Sequence, residues 1–144
     1  MAAAIIGGLL NKNYSPALIR VIESDSKKRL VIENKFKVSS MAEFKKIYKD
    51  EIIVLAVKPQ QAESLLKSIS TEISEQLILS IAAGIQIESI GKWARGHKNI
   101  VRSMPNVCAQ IQLGITALFT KEVLDTKTKL PLLLLIFSPA SPII

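Results

Sequence analysis

Ile52-Ile-Val-Leu-Ala-Val57 is the stretch of this 144-residue sequence that decides its fold. Its six apolar residues do not alternate with polar ones, a pattern typical of a strand buried on both faces of a parallel sheet. Pro59 favours a helix start, and helical spacing i, i+3, i+4 and i+7 follows in Ala62, Leu65, Leu66 and Ile69. Leu77-Ile-Leu-Ser-Ile81 repeats the buried-strand pattern. Strand, helix and strand in this order predict a right-handed βαβ unit.

Further strands and helices are predicted on both sides of this unit. The predicted strands are Leu18–Ile22, Phe36–Ser39, Ile100–Arg102 and Ile115–Phe119. The predicted helices are Ser26–Asn34 with Ser24, Asp25 and Ser26 as candidate N-caps, Ser40–Tyr48 behind the capping box Ser40-Met-Ala-Glu43, and Ile87–Ala94. The alternation of strands and helices predicts an α/β fold with a doubly wound parallel sheet.

Length and composition exclude several classes of protein. A chain of 144 residues fits one ordinary domain, and 49% hydrophobic with 22% charged residues excludes a disordered or collagen-like chain. Lys and Arg total 19 against 12 Asp and Glu, and the net charge of +7 favours an anionic partner. Nucleic acid is not expected to be that partner, because aromatic residues amount to 5% and the cations are not interleaved with stacking side chains.

The rare residue types argue against metal sites and side-chain nucleophiles. Cys108 is the one cysteine and His97 the one histidine, so the sequence predicts no disulfide, no zinc site and no catalytic residue of its own. His97 lies in a polar, glycine-containing loop and is expected to be a solvated surface residue. Apolar runs such as Leu132–Phe137 are far shorter than the ~18 residues of a membrane span. We therefore expect no membrane association and a reducing, cytoplasmic setting.

Three predicted strands end in segments suited to a nucleotide cofactor, because ligands of open parallel sheets bind at the carboxyl ends of the strands. Small residues in these segments let a ligand approach the main chain, Lys58 places a cation beside a helix start, and Asn106 can both donate and accept. Each segment taken alone is also typical of a tight turn or of a solvated helix start without a ligand. The predicted cofactor-binding residues are Ala56, Val57, Lys58 and Pro59, then Ile81, Ala82 and Ala83, and then Asn106.

Four segments resemble the cofactor domain of pyrroline-5-carboxylate reductases. They are Met1-Ala2-x-Ala4-Ile5-Ile6-x-Gly8-Leu9, Ile53-Val-Leu-Ala-Val-Lys-Pro59, Leu79-Ser-Ile-Ala-Ala-Gly-Ile85 and Val101-Arg-Ser-Met-Pro-Asn106. The similarity extends in register from Met1 to about Val123. It implies an oxidoreductase of proline biosynthesis, in which NADPH or NADH reduces the C=N bond of 1-pyrroline-5-carboxylate to give L-proline.

The resemblance also places Ser24 or Ser26 in the region that meets the adenosine ribose. Glu23 ends the predicted strand there, where an acidic side chain favours the 2′-hydroxyl of NAD. Ser24 and Ser26, followed by the cations at residues 27–29, suit the 2′-phosphate of NADP. A run of cations like this one is equally typical of a solvated helix face. We expect NADP to be preferred, as it usually is in this family, with NAD as the alternative.

The sequence also departs from the family pattern. Met1 lies inside the first motif, so the family's central first strand and both glycines of its pyrophosphate loop are not represented, and the sheet is expected to be incomplete. We expect residues 1–123 to form a partial Rossmann-like NAD(P)-binding domain and residues 124–144 to be a tail of out-of-frame sequence. The resemblance implies a helical domain that forms the homo-oligomer and completes the substrate pocket, and we expect residues 1–144 not to include it. We therefore expect the chain alone to be inactive, or to be a non-catalytic nucleotide-binding module that associates with a complete subunit.

Overall fold

Four α-helices and six strands form in the part of the chain that the computed structural model describes, residues 2–44, 46–105 and 116–123. The helices are α1 (Ala2–Asn11), α2 (Ser26–Phe36), α3 (Pro59–Ile69) and α4 (Ile87–Trp93), with a 3-10 turn at Pro16–Leu18. The strands are β1 (Arg20–Ile22), β2 (Ser39–Met41), β3 (Ile52–Leu55), β4 (Leu77–Ser80), β5 (Ile100–Pro105) and β6 (Thr116–Thr120).

The strands form two separate sheets within the described residues. β1 and β2 pair in parallel, and β3, β4, β5 and β6 form a four-stranded sheet in that order. The first three strands of the larger sheet are parallel, whereas β6 is antiparallel to β5. The α/β fold class is confirmed, and the strand order is that of a doubly wound sheet whose central position, between β1 and β3, is filled by none of the described strands.

The core lies mainly between the four-stranded sheet and the helices that follow β3 and β4. Ile53, Leu55, Ile78 and Ile100 point to one face of the sheet and pack against buried residues of α3 and α4, among them Leu66 and Ile90. The alternate residues form a second cluster on the other face, as expected from the period of two along a strand. Its members are Leu77, Leu79 and Val101, with Ile52, Val54 and Leu118 packed against them.

The βαβ unit lies where the sequence predicts it. β3 ends two residues before Val57, and α3 begins at Pro59 as predicted because proline is favoured at the first helical position. Ala62, Leu66 and Ile69 are the buried residues of α3, which confirms the apolar stripe inferred from the spacing.

The region around residue 40 differs from the sequence prediction. α2 extends to Phe36 and is terminated by Lys37, whose main chain adopts the left-handed conformation with φ 56°, so the predicted strand at residues 36–39 begins later. The helix predicted from the capping box at Ser40 is wrong, since residues 39–41 form β2 and no helix is found in the described residues from 42 to 48. The main chain at Ser40 pairs with β1 instead, and this tertiary contact overrides a short local signal.

Candidate functional site

The segments that follow β3 and β4 lie side by side at the carboxyl edge of the larger sheet. Leu55 and Ser80 are paired at the ends of these two strands. Beyond this pair, the Ile81 N–H donates to the Leu55 carbonyl oxygen at 3.2 Å. The sheet therefore brings residues 56–59 together with residues 81–83, the two largest groups of predicted cofactor-binding residues.

Small side chains form the surface after β4. Ala82 is buried, and its N–H donates to the Ser80 hydroxyl at 3.4 Å, which ties the turn to the end of the strand. Ala83 and Gly84 are exposed, and Gly84 has a φ of 74°, a conformation that L side chains rarely adopt. Because no long side chain stands on this turn, a ligand can approach its main chain closely.

The amino terminus of α3 supplies a positive electrostatic field to the same edge. Lys58 is the N-cap residue, with extended main chain and no side-chain hydrogen bond to the helix, and its side chain is exposed. Pro59 has no N–H group, so the first turn of this 11-residue helix has one hydrogen-bond donor fewer. The helix dipole is retained and still favours negative charge at this end. An uncapped helix start beside an exposed lysine favours an anionic group such as a phosphate.

Ser24 lies in a turn after β1 that is held by local hydrogen bonds. The Arg29 guanidinium donates to the carbonyl oxygens of Glu23, at 2.8 Å, and Ser24, at 2.9 Å. The Asp25 carboxylate caps α2 by accepting from the N–H groups of Lys27 and Lys28. Of the three candidate N-caps at residues 24–26, Asp25 is therefore the one used, and Arg29 is occupied in shaping the turn.

The predicted site residues are not all brought together. Ser24 follows β1 of the two-stranded sheet, which shares no main-chain hydrogen bond with the larger sheet in the described residues. Asn106 and Cys108 lie outside the described residues. No cluster of three or more potential metal ligands occurs in the described ranges. In the same ranges, no helix has the length and apolar character needed to cross a bilayer.

A polar network that the sequence did not reveal crosses the opposite, amino end of the strands. Gln76, only 2% exposed, donates through Nε2 to the Tyr48 carbonyl oxygen at 3.2 Å and accepts the Ser74 N–H at 2.7 Å. His97 Nε2 lies 2.8 Å from the Gln76 carbonyl oxygen, so His97 is partly buried and bonded rather than solvated as predicted. A glutamine before an apolar run has the same sequence pattern whether it is buried or exposed. The burial of Gln76 could therefore not be predicted from the sequence.

One ion pair joins the two sheets. The Arg20 guanidinium, at the start of β1, lies 2.6 Å from both carboxylate oxygens of Glu51, the residue before β3. Both side chains are partly buried, and Arg20 also stacks over the Tyr48 ring at 5.4 Å. Glu51 in turn accepts the Tyr48 N–H at 2.8 Å. This arrangement fixes the amino ends of the two sheets relative to each other.

The titration of two exposed groups is shifted by ion pairs. The hydrogen bond from Lys121 lowers the pKa of Glu88, with smaller contributions from the Glu88 main-chain N–H and from the charges of Lys121 and Arg102. The hydrogen bond to Glu75 raises the pKa of Lys49. Neither pair lies in the segments that line the candidate edge, so these shifts concern stability rather than ligand binding.

Comparison with known proteins shows similarity between this chain and oxidoreductases. A sequence model of the family described as "NADP oxidoreductase coenzyme F420-dependent" matches residues 1–84. The chain is 33% identical over 121 residues to a pyrroline-5-carboxylate reductase of Pseudomonas aeruginosa, covering 83% of this chain and 44% of that protein. It is 37% identical over 120 residues to that of Haemophilus influenzae, again covering 83% and 44%. The chain thus spans less than half the length of these curated relatives.

A solved structure agrees with the sequence comparison. The fold superposes on a pyrroline-5-carboxylate reductase from Coxiella burnetii with a TM-score of 0.85 and 27% identity. The superposition covers 99% of this chain and 54% of that one. The similarity therefore applies to the whole length of this chain and to about half of a reductase.

Proposed function

This chain belongs to the family of NADP oxidoreductases described as coenzyme F420-dependent, and we propose that it carries the dinucleotide-binding part of a pyrroline-5-carboxylate reductase. The observation that carries the proposal is the edge formed by residues 56–59 and 81–83, where small residues, a main-chain turn and the uncapped start of α3 meet. Residues 1–123 are the proposed extent of this NAD(P)-binding domain. In the whole enzyme, the reaction is reduction of 1-pyrroline-5-carboxylate to L-proline in the cytoplasm.

The residues of the edge suit a nicotinamide dinucleotide. Lys58 and the α3 amino terminus would hold a phosphate, since both favour negative charge. Ala82, Ala83 and the turn at Gly84 would leave room for the ribose and nicotinamide to lie against the main chain. The cofactor, when bound, supplies the hydride for the C=N carbon, and the protein supplies orientation and electrostatics.

The remaining proposed contacts come from the ends of the neighbouring strands. Ala56, Val57, Pro59 and Ile81 would form the apolar part of the edge, and Ser24 would meet the adenosine ribose. Asn106 is proposed to contact the nicotinamide end, because its side chain can both donate and accept. No side chain of this chain is proposed to be catalytic, and no metal ion is required.

A second candidate is a nucleotide-binding module without turnover that associates with a complete subunit. It is favoured by the separation of the two sheets, which share no main-chain hydrogen bond in the described residues. Both candidates require cofactor binding, whereas only the first requires reduction of the substrate. The chain alone is expected to bind cofactor weakly and to show no reductase activity.

Cofactor binding can be tested by titrating the 144-residue chain with NADPH and NADH and following nicotinamide fluorescence. Lys58→Ala is expected to weaken NADPH binding about fivefold, the equivalent of about 1 kcal/mol for a cation at a helix start. Lys67→Ala is the matched control, since it removes the same charge from the other end of α3. Absence of binding by the unmodified chain, or an equal loss in both variants, would contradict the proposal. Oxidation of NADPH on addition of 1-pyrroline-5-carboxylate would exclude the non-catalytic alternative.

A further inference from the structure

A polar cleft of about 410 Å³ opens at the end of the sheet opposite to the candidate cofactor edge. One wall is the segment 70–74, between α3 and β4, and the other is the segment 94–98, between α4 and β5. Both segments precede strands, so the cleft lies at the amino ends of β4 and β5, whereas the cofactor edge lies at the carboxyl ends. A ligand in this cleft would not compete with one at the edge.

The charge lining this cleft is positive. Arg95 and Lys98 line it, and both are exposed and form no ion pair with any carboxylate in the described residues. No Asp or Glu is among the lining residues, although the exposed Glu72 lies in the first wall segment between Thr71 and Ile73. Glu75, which is adjacent in sequence to the first wall, is paired with Lys49 at 2.8 Å.

Arg95 and Lys98 are not needed to satisfy the ends of the neighbouring helices. A helix carboxyl terminus commonly attracts cations, because its last carbonyl groups lack intrahelical partners. Here the Lys67 carbonyl accepts the Ser70 hydroxyl at 2.9 Å, and the Gly91 carbonyl accepts the Gly96 N–H at 2.8 Å. These two carbonyl groups are satisfied by a serine hydroxyl and by a main-chain N–H, so neither needs a donor from Arg95 or Lys98.

The second wall is held in place by His97. Its Nε2 lies 2.8 Å from the carbonyl oxygen of the buried Gln76, and its N–H donates to the Ala94 carbonyl at 3.1 Å. These two bonds anchor the loop between its two cations. Arg95 and Lys98 therefore lie on either side of an anchored residue, and Thr71 is among the residues that line the facing wall.

We propose that this cleft binds a phosphate group, either inorganic phosphate or the phosphate of a small monoester. A guanidinium offers a fork of donors to phosphate oxygens, and an ammonium adds a second charge that a dianion can bridge. The volume exceeds the need of one phosphate and leaves room for a small organic substituent. The site is independent of the proposed cofactor edge and is expected to be occupied whether or not a dinucleotide is bound.

The test is a titration of the full, isotope-labelled chain with inorganic phosphate, followed by amide NMR shifts at constant ionic strength. Saturable shifts confined to residues 70–74 and 94–98 are expected. Lys98→Gln and Arg95→Asn are each expected to weaken binding about fivefold, as for loss of one charge-assisted contact. Asn is chosen at position 95 because the main chain there has a φ of 57°, which asparagine tolerates. Lys92→Gln on α4 is the matched control and is expected to leave the affinity within twofold.

The outcomes separate the ligand sources and the alternatives. Tighter binding of glycerol 3-phosphate than of phosphate would assign the site to a monoester, and equal binding would assign it to the free ion. Shifts that do not saturate, or an equal loss in Lys92→Gln, would show general charge screening and overturn the proposal. A variant whose far-ultraviolet circular dichroism differs from that of the unmodified chain is replaced in the comparison by the other cleft variant. Because the readout does not involve NADPH, failure here leaves the proposed function untouched.

Discussion

Replacing Gly91 with alanine is expected to destabilise the protein, although alanine is the better helix former. In an unconstrained helix this change stabilises by about 1 kcal/mol. At position 91 the added Cβ would lie 2.8 Å from the His97 carbonyl oxygen and 3.5 Å from Ile100 Cδ1. The His97 oxygen cannot easily move, since the N–H and ring of that residue are both hydrogen bonded. Overpacking of this kind costs about 1 to 3 kcal/mol, so a net loss of about 1 kcal/mol is expected.

The assay is urea and thermal unfolding followed by circular dichroism. A loss of about 1 kcal/mol corresponds to a melting temperature lower by about 4 °C in a domain of this size. Gly8→Ala in α1 is the matched control, since nothing lies within 4 Å of the added Cβ, and it is expected to raise stability. If Gly91→Ala is as stable as the unmodified chain while Gly8→Ala behaves as expected, the packing argument is refuted.

Three further predictions concern local contacts. Arg20→Ala is expected to cost about 1 to 2 kcal/mol in urea unfolding, because it leaves the partly buried Glu51 without its charged partner, and a cost within error of zero would contradict the role given to this pair. Asp25→Ala removes the α2 cap and is expected to cost about 1 kcal/mol, whereas Asp25→Asn keeps the cap and should cost less. Glu88 has a lowered pKa in the folded state, so its contribution is present above the unfolded-state value and lost as pH falls through the folded one. The stability difference between the unmodified chain and Glu88→Gln should therefore vanish in acid, and a difference that grew on acidification would exclude this linkage.

The larger sheet could be predicted from sequence because its strands are continuous apolar runs. Ile52–Leu55 and Leu77–Ser80 are buried by helices on one face and by a second cluster on the other, so no alternation interrupts the signal. The short strands of the smaller sheet carry no such signal. Ser39–Met41 is polar and half exposed, and its strand state depends on pairing with β1, a contact between residues 19 positions apart. Local patterns cannot contain that information.

The position of the candidate edge could be predicted from the order of the strands more than from the side chains on it. Once residues 52–55 and 77–80 are parallel neighbours, the segments after them must meet at one edge, and Ala56–Pro59 and Ile81–Ala83 do so. The hydrogen bonds of the Ser24 turn could not be predicted in the same way. Arg29 looked like a candidate phosphate ligand in the sequence, yet its guanidinium is bonded to two main-chain carbonyls of its own turn. Such a role depends on side-chain conformation, which composition and spacing do not determine.

The separation of the two sheets has a consequence for ligand binding. Arg20 and Glu51 connect the sheets at the amino ends of β1 and β3, whereas the Ser24 turn and the Lys58 helix start stand at the carboxyl ends. No main-chain hydrogen bond joins the sheets in the described residues, and the Arg20–Glu51 ion pair connects them at the far end. A dinucleotide that contacted both segments would itself connect the sheets at the open end. Part of its binding free energy would be spent on ordering them, which lowers its affinity and makes the stability gained on binding depend on the Arg20–Glu51 pair.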